Sequence, residues 1–297
     1  MHEIVVISGK GGTGKTSVCA AFAHLMDNGI ICDLDVDAPD LHIILDPKPR
    51  SEHAFISGHE AVIDQEICTR CGSCYEACRF EGIFRNTDNY TVDPLRCEGC
   101  GVCGAICPAG AVTLADKHCG DWYESDTRFG IMLHAQLFPG EENSGRLVSL
   151  LKQKARERAK AEGKDIILCD GSPGIGCPVI SSLSGADMAV AVVEPTPSGR
   201  HDFIRVADLC DHFRIPVSVI LNKADLNREE CAAIRAACAE RGYSEAGEIP
   251  FTQDITTAMI GRQALTETGS AQAARLRDAW ADITDRVKTG SRKRSPF

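Results

Sequence analysis

Residues 8–16 strongly constrain the local structure at the start of this chain. The stretch from Gly9 to Thr16 matches G-x-x-x-x-G-K-[ST], follows an apolar run at residues 4–7 and precedes a helix-compatible sequence. This context predicts a phosphate-binding loop, because glycines let backbone N–H groups turn toward phosphate oxygens at the positive end of a helix. The alternative is a glycine-rich turn without a ligand. The residues predicted to contact a nucleotide are Gly9, Lys10, Gly11, Gly12, Thr13, Gly14, Lys15, Thr16 and Ser17.

Acidic residues follow two further apolar runs. The run at residues 30–32 ends at Asp33 and Asp35, and the run at residues 166–169 ends at Asp170. Ligands of α/β sheets bind at the carboxyl ends of the strands. We therefore predict that Asp170 and Thr16 hold Mg²⁺ while Lys15 contacts the β- and γ-phosphates. The glycine-rich residues 171–176 are predicted to form a mobile switch loop.

Sixteen cysteines accompany this motif in a chain of 297 residues. The first apolar strand begins near residue 3, which leaves no room for a signal peptide, and no apolar run is long enough to span a membrane. We therefore expect a cytoplasmic protein whose cysteines serve metal or redox chemistry. A net charge of -10 disfavours nucleic-acid binding, and the short basic run at residues 292–294 does not change that.

Eight of the cysteines form an internal repeat. Two runs share the spacing C-x₂-C-x₂-C-x₃-C, which is the bacterial ferredoxin pattern whose fourth cysteine serves the other cluster. This spacing predicts two [4Fe–4S] clusters. One is assigned to Cys68, Cys71, Cys74 and Cys107, and the other to Cys97, Cys100, Cys103 and Cys78.

Zinc is the competing interpretation of these cysteines. Cys₄ zinc sites combine two C-x-x-C pairs, whereas each run here contains four cysteines, so the repeat favours clusters. One difference between the runs is visible: Pro108 follows Cys107, as in ferredoxins, but Arg79 follows Cys78. Cys119 and Cys177 are also candidate ligands, although an ordinary thiol is the favoured interpretation of both.

The rest of the chain alternates short apolar runs with helix-like segments. This alternation predicts an α/β fold with a doubly wound, mostly parallel P-loop sheet. The predicted domains are a P-loop domain of residues 1–60 and 119–297 and an inserted small α+β ferredoxin-like domain of residues 61–118. Residues 119–145 are expected to be an irregular loop, either functional or merely exposed. The last helix has an apolar face, and its mixed charges favour docking on the core over stable membrane insertion.

Lys10 makes the loop resemble the deviant Walker A motif, G-K-G-G-x-G-K-[ST], of the MinD, ParA and Mrp ATPases and the nitrogenase iron protein. The resemblance implies that Lys10 reaches the partner's nucleotide across a dimer, like an arginine finger supplied in trans. It also implies that Asp35 orients the attacking water, that Asn222 contacts adenine and that the backbone at Pro250 meets the base edge. ATP is thereby favoured. GTP stays open because residues 222–225 fit N-K-x-D.

The resemblance and the cysteine repeat together predict a Mg²⁺-dependent ATPase that acts as a homodimer or as a heterodimer with a paralogue. Its hydrolysis cycle is expected to be coupled, through two [4Fe–4S] clusters, to electron transfer or to docking of a protein redox partner. Two alternatives stay open. One is an iron–sulfur assembly or carrier ATPase, and the other is a redox-sensing positioning or regulatory switch of the MinD and ParA kind.

Overall fold

The computed structural model describes residues 1–291, so the basic run at residues 292–294 lies outside the described residues. The chain divides into two compact units. The first comprises Met1–Glu52, Trp122–Gln136 and the chain from Ser144 onward. The second comprises His53–Asp121 and Leu137–Asn143. All of residues 61–118 belong to the second unit, which begins earlier than the predicted insert and also includes a later segment.

A mostly parallel sheet forms the centre of the first unit, and three of its strands extend into residues of the second. In the described residues it has nine strands in the order β11-β10-β9-β1-β8-β2-β7-β6-β3. Strand β1 pairs in parallel with β8 and β9, and β2 pairs in parallel with β8 and β7. The predicted mostly parallel α/β sheet is confirmed. The strands are β1 (His2–Ser8), β2 (Gly29–Asp33), β3 (Lys48–Ile63), β6 (Val112–Thr127), β7 (Gly130–Leu137), β8 (Ile166–Pro173), β9 (Met188–Val193), β10 (Val217–Asn222) and β11 (Ser244–Ile249).

Helices connect the parallel strands. In the first unit they are α1 (Lys15–Leu25), α2 (Leu41–Leu45), α5 (Ser144–Ala161), α6 (Cys177–Leu183), α7 (Pro197–Phe213), α8 (Arg228–Arg241), α9 (Gln253–Ile260) and α10 (Ala271–Ser291), with a 3₁₀ turn at Leu265–Glu267. Helix α1 begins at Lys15, earlier than its apolar residues suggest. The phosphate loop therefore leads directly into the first helical turn. Side-chain oxygens of Thr196 and Asn227 accept backbone hydrogen bonds and cap α7 and α8.

The expectation of an irregular loop at residues 119–145 is wrong. Most of this stretch belongs to β6 and β7, which are joined by Arg128 and Phe129. The sequence is polar because polar side chains pair between the two strands: the Ser125 hydroxyl lies 2.8 Å from His134 Nε2. Thr127 donates to the carbonyl of Gly130 at 2.8 Å. These pairs add to the burial of the apolar side chains of β7, among them Ile131, Met132 and Leu133.

The last helix docks on the core, as expected. Leu276, Trp280, Ile283 and Val287 are buried in the same cluster as Phe22 of α1, and the rings of Phe22 and Trp280 lie 4.9 Å apart. Within residues 1–291, no helix is both long enough and apolar enough to cross a membrane. The apolar face of α10 is thus used for packing inside the first unit.

The second unit is small and contains both cysteine runs. It holds α3 (Ser73–Ala77), α4 (Val102–Ala105) and an antiparallel pair, β4 (Ile83–Arg85) with β5 (Tyr90–Val92). Each short helix follows a glycine with positive φ, Gly72 at 85° and Gly101 at 77°, and each glycine follows the second cysteine of its run. The sequence repeat is therefore also a repeat of backbone conformation. The core of the unit combines apolar side chains with Cys68, Cys74, Cys78, Cys97, Cys103 and Cys107.

Candidate functional site

Polar groups from four strands of the parallel sheet, three of them adjacent, meet at one edge of the sheet. The phosphate loop follows β1, Asp33 ends β2, Asp170 lies near the end of β8 and Asn222 ends β10. Asp33 and Asp170 are direct partners in the β2–β8 register. Since parallel strands present their carboxyl ends on the same side, the topology brings these distant residues together.

Lys15 is the buried cation of this site. Its Nζ lies 2.7 Å from Asp170 Oδ1 and 3.6 Å from Asp35 Oδ2, and only 7% of its side chain is exposed. Burial alone lowers the pKa of a lysine, but here the negative charges of Asp170 and Asp35 outweigh burial and raise the pKa of Lys15. The ammonium is therefore charged at neutral pH.

The carboxylates around Lys15 have oxygens without hydrogen bonds. Asp33 Oδ1 accepts from the backbone N–H of Asp35 at 3.1 Å. In the described part of the chain, Asp33 Oδ2, Asp170 Oδ2 and Thr13 Oγ1 are buried and have no hydrogen-bond partner. Burial raises the pKa of Asp33 well above its ordinary value and that of Asp35 to about 6, although Lys15 opposes both shifts.

A cavity of about 420 Å³ opens beside these residues. It is lined by most of the phosphate loop, and by Asp35 and Asn222. Its apolar wall comes from Phe251, Ile255 and Met259. Thr16 lines the cavity, whereas Pro250 borders it only through its neighbour Phe251. The loop residues that line it are Gly11, Gly12, Thr13, Gly14, Lys15, Thr16 and Ser17.

Asn222 braces the phosphate loop. Its Nδ2 donates to the carbonyl of Thr13 at 2.7 Å, and its Oδ1 accepts from the backbone N–H of Lys223 at 3.0 Å. Asp225, the last residue of the N-K-x-D sequence, accepts from the backbone N–H of Phe251 at 2.5 Å. The predicted contact between Asn222 and adenine stays a prediction, because the carboxamide is engaged with backbone here.

Gly9 and Lys10 do not line the cavity beside Lys15, and Lys10 instead contacts residues that follow β9. Its Nζ is 3.4 Å from Glu194 Oε1, 3.3 Å from Thr196 Oγ1 and 3.2 Å from Ser198 Oγ. Glu194 also accepts from Lys223 Nζ at 2.6 Å. Burial raises the pKa of Glu194, but the two lysines outweigh it, and the net pKa is lowered. Lys10 is therefore not a freely solvated loop lysine.

Sequence reasoning missed Glu194 and the contacts of Lys223. A signal was present, since Glu194 directly follows the apolar strand β9, just as Asp33 and Asp170 lie at the ends of theirs. Lys223 has a left-handed φ of 57° and donates to the carbonyl of Gly12 at 3.0 Å. That conformation follows from tertiary contacts, which the local sequence does not specify.

The second unit contains a cavity of about 430 Å³ lined by Cys78, Cys97, Cys100 and Cys103. These are the four cysteines assigned from the sequence to one cluster. The other lining groups are mostly apolar and include Phe80, Ile83, Val102 and Leu114, with Arg79 and Glu98 as the charged members. The fold thus brings the fourth cysteine of the first run to the first three of the second.

Backbone amides hydrogen-bond several of the sulfur atoms. Gly82 donates to Cys78 Sγ at 3.3 Å, and Ala61 donates to Cys97 Sγ at 3.4 Å. Ala111 donates to Cys107 Sγ at 3.3 Å, and amides led by this one lower the pKa of Cys107. Hydrogen bonds to sulfur favour the thiolate, which is the form that binds metals.

The remaining candidate ligands, Cys119 and Cys177, are not among the residues that line the four-cysteine cavity. Cys119 is buried, and its Sγ donates to the carbonyl of Ser57 at 3.0 Å, as an ordinary thiol does. Cys177 is exposed at the start of α6 and packs near Gly145. Across residues 1–291, no group of three or more His, Cys, Asp or Glu side chains is arranged to hold a single metal ion.

Comparison with known proteins gives matches over most of the chain. The model of the CobQ/CobB/MinD/ParA nucleotide binding domain matches residues 4–264. An uncharacterised protein of Methanocaldococcus jannaschii, MJ0578, is 29% identical over 286 residues, which are 95% of this chain and 96% of that protein.

Two further similarities differ in extent. The septum site-determining protein MinD of Pyrococcus horikoshii, solved in complex with Mg-ADP, is similar in fold with a TM-score of 0.56 and 16% identity over 97% of each chain. A protein named Ferredoxin 7Fe from Hydrogenibacillus schlegelii is 38% identical over 56 residues, which are 19% of this chain and 72% of that protein.

Two glycines of the phosphate loop give a matched test of its conformation. Gly14 has a φ of 92°, and a Cβ there lies 2.3 Å from Asn222 Nδ2, whereas a Cβ at Gly11 meets nothing within 4 Å. We predict that Gly14→Ala destabilises the nucleotide-free first unit by about 1–3 kcal/mol. Gly11→Ala should change its stability by less than about 1 kcal/mol. Denaturant unfolding followed by tryptophan fluorescence reports this unit, since Trp122 and Trp280 both belong to it. Equal stability of the two variants would contradict the described loop.

Proposed function

This chain belongs to the family of CobQ/CobB/MinD/ParA nucleotide-binding domains, and from that premise we propose that it is a dimeric, Mg²⁺-dependent ATPase whose hydrolysis cycle is coupled to two [4Fe–4S] clusters. One observation carries the ATPase assignment. The Lys15 ammonium lies between Asp170 and Asp35 in a cavity lined by the phosphate loop. The cluster assignment is supported by the four-cysteine cavity of the second unit.

The donor groups beside Lys15 fit Mg²⁺. Asp170 Oδ2 and Asp33 Oδ2 are buried carboxylate oxygens without hydrogen bonds. Neither residue lines the cavity, but Asp170 contacts Lys15, which lines it together with Thr16. Mg²⁺ prefers oxygen ligands and is usually held by one or two carboxylates together with substrate phosphates, so a complete protein cage is not expected. Thr16 and Asp170 are the proposed protein ligands. When bound, Mg²⁺ neutralises charge that develops on the phosphate oxygens.

The chain's own groups account for the other parts of hydrolysis. Lys15 is charged and reaches into the cavity, so it binds phosphate oxygens in place of its present carboxylate contacts. Asp35 lines the cavity, and its carboxylate is proposed to accept a hydrogen bond from the attacking water and orient it. Of the predicted switch residues 171–176, the first three continue β8, so only residues 174–176 lie in a turn. This turn is proposed to move when the metal site at Asp170 changes.

ATP is the proposed nucleotide. The carboxylate of Asp225, which completes the N-K-x-D sequence, is engaged by the backbone N–H of Phe251 and is not among the cavity-lining groups described. This arrangement argues against the guanine-reading use of that sequence. Phe251, Ile255 and Met259 offer an apolar wall against which a purine base can stack.

Lys10 is proposed to act across a dimer. Its side chain is 30% exposed, and its three contacts are all longer than 3.1 Å, so little holds it in its own subunit. In the proposed dimer the ammonium reaches the partner's nucleotide and stabilises negative charge in the transition state. The partner is a second copy of this chain or a paralogue.

The four-cysteine cavity of the second unit supports one [4Fe–4S] cluster over a single ion, and the second cluster is proposed from the cysteine repeat alone. Zinc thiolates converge on one point at about 2.3 Å, whereas the four cysteines of a cubane each bind a different iron and stand farther apart. A cavity lined by four cysteines without a convergent ion site is consistent with the larger group. When bound, such clusters accept and release single electrons.

The protein groups around the cysteines have definable roles. Backbone N–H groups of Gly82, Ala61 and Ala111 stabilise negative charge on sulfur. Phe80 and Leu114 cover the cavity with apolar surface and limit the access of water. In the proposed cycle, ATP-dependent switch movement changes electron exchange or the docking of a redox partner. Transfer of a cluster to an apo-ferredoxin would instead support a carrier, and redox-dependent surface binding would support a positioning switch.

Assays of ATP hydrolysis test the proposed ATPase activity and the trans role of Lys10. We predict that Lys10→Ala lowers the ATPase kcat by about 10³-fold and abolishes ATP-dependent dimerisation, while nucleotide affinity changes little, because Lys10 acts in trans. Lys15→Ala should instead weaken nucleotide binding itself. Lys48→Ala, at an exposed surface lysine, is the control. Turnover assays, nucleotide titration and sedimentation velocity check these outcomes. Full activity and dimerisation of Lys10→Ala would remove the trans role.

The iron content of the protein tests the assignment of two [4Fe–4S] clusters. After anaerobic purification or reconstitution, we predict about eight irons per chain and about four in Cys103→Ala, since that variant loses one ligand of one cluster. Cys177→Ala, at an exposed cysteine outside the runs, should retain all the iron. Iron and sulfide analysis with EPR of the reduced protein measures this. A wild-type content well below eight after reconstitution would overturn the two-cluster assignment.

A further inference from the structure

The carboxylate of Glu194, which contacts the cavity-lining Lys223, forms ion pairs with two lysines. Glu194 Oε1 lies 3.4 Å from Lys10 Nζ, and Glu194 Oε2 lies 2.6 Å from Lys223 Nζ. The Glu194 side chain is only 14% exposed, so its charge is poorly hydrated and depends on these cations. No other lysine or arginine forms an ion pair with it in the described residues.

The two lysines are held very differently. Lys223 makes a short ion pair and also donates to the carbonyl of Gly12, so its ammonium is fixed at two points between β9 and the phosphate loop. Lys10 has only longer contacts, to Glu194 and to the hydroxyls of Thr196 and Ser198. Breaking the contacts of Lys10 with Glu194 therefore requires less free energy than breaking those of Lys223.

We propose that Lys223 is a standing counter-charge for Glu194, which allows Lys10 to swing to the partner's nucleotide without leaving a buried carboxylate unpaired. This inference rests on the proposed trans role of Lys10. Glu194 and Lys223 are then positioning residues, since they act on the reaction by setting how readily Lys10 is released.

Forming an ion pair and removing one of its partners have unequal effects on stability. An ion pair near the surface contributes little, but removing one partner from a poorly hydrated charge leaves an uncompensated group. With Lys223 in place, the departure of Lys10 leaves Glu194 with its shorter ion pair. Without Lys223, Lys10 becomes the sole cation paired with Glu194. Its departure then leaves the Glu194 carboxylate without an ion-pair partner.

A double-mutant cycle on the full chain tests this mechanism. We expect Lys223→Met to weaken Mg-ATP-dependent dimerisation about two- to fivefold, the range set by a partly exposed ion pair. Glu194→Gln should dimerise at least as well as the wild type, because Lys10 has lost its charged partner. In the double variant, Lys223→Met should have no further effect. Additive effects of the two substitutions would overturn the proposal.

Two controls separate this effect from changes in the phosphate loop and from general loss of charge. Lys223 also donates to the carbonyl of Gly12 in the phosphate loop, so its substitution can change nucleotide affinity. The affinity of each variant for a fluorescent ATP analogue is therefore measured first, and dimerisation is then measured at saturating nucleotide. Lys223→Arg should restore dimerisation because the charge is kept, and Lys160→Met, at an exposed lysine of α5, should change nothing. Failure of Lys223→Arg to rescue would contradict a counter-charge role.

If the trans role of Lys10 is wrong, the variants should dimerise in a different pattern. If Lys10→Ala dimerises like the wild type, the trans role itself is wrong. If Lys10→Ala loses dimerisation while Lys223→Met and Glu194→Gln both behave as the wild type, the trans role stands and the counter-charge proposal is wrong.

Discussion

The buried ammonium of Lys15 is the interaction on which the nucleotide-binding unit depends. Asp33 and Asp170 are 1% exposed, and such carboxylates are costly to bury unless a cation lies beside them. Lys15 supplies that cation from the first residue of α1, immediately after the phosphate loop. The strand order places the loop, both aspartates and Asn222 at one edge of the sheet, so the same charges that stabilise the fold define the site.

A second constraint acts in the cysteine-rich unit. Gly72 and Gly101 adopt the same left-handed conformation at corresponding positions of the two runs, and each leads into a short helix. In each run the first two cysteines precede this glycine, the third lies in the short helix and the fourth follows that helix. Six of the eight cysteines pack into the core of the unit, which joins the proposed cluster chemistry to its stability.

Much of the first unit was predictable because its signals are local. Apolar runs ending in Asp33 and Asp170 specify buried parallel strands, and Gly9 to Thr16 specify the loop between β1 and α1. The hairpin of β6 and β7 was not predictable in this way. The turn-forming and polar residues at 125–130 and 139–145 suggest a loop, although β7 between them is mostly apolar and buried. The pairing of Ser125 with His134 across the two strands is seen only in the folded chain. The contacts of Lys10 and Lys223 with Glu194 join residues far apart in sequence, so only the folded chain shows them.

The central claim is that the nucleotide state and the clusters are coupled, and reduction potentials test it most directly. The measurement is anaerobic potentiometry with EPR detection on one preparation, without nucleotide, with Mg-ADP and with Mg-ATP, for the wild type and Lys10→Ala. The account predicts that at least one cluster potential differs between the Mg-ATP state and the other two in the wild type, and that this difference is lost in Lys10→Ala. Identical potentials in all three nucleotide states of the wild type would contradict it.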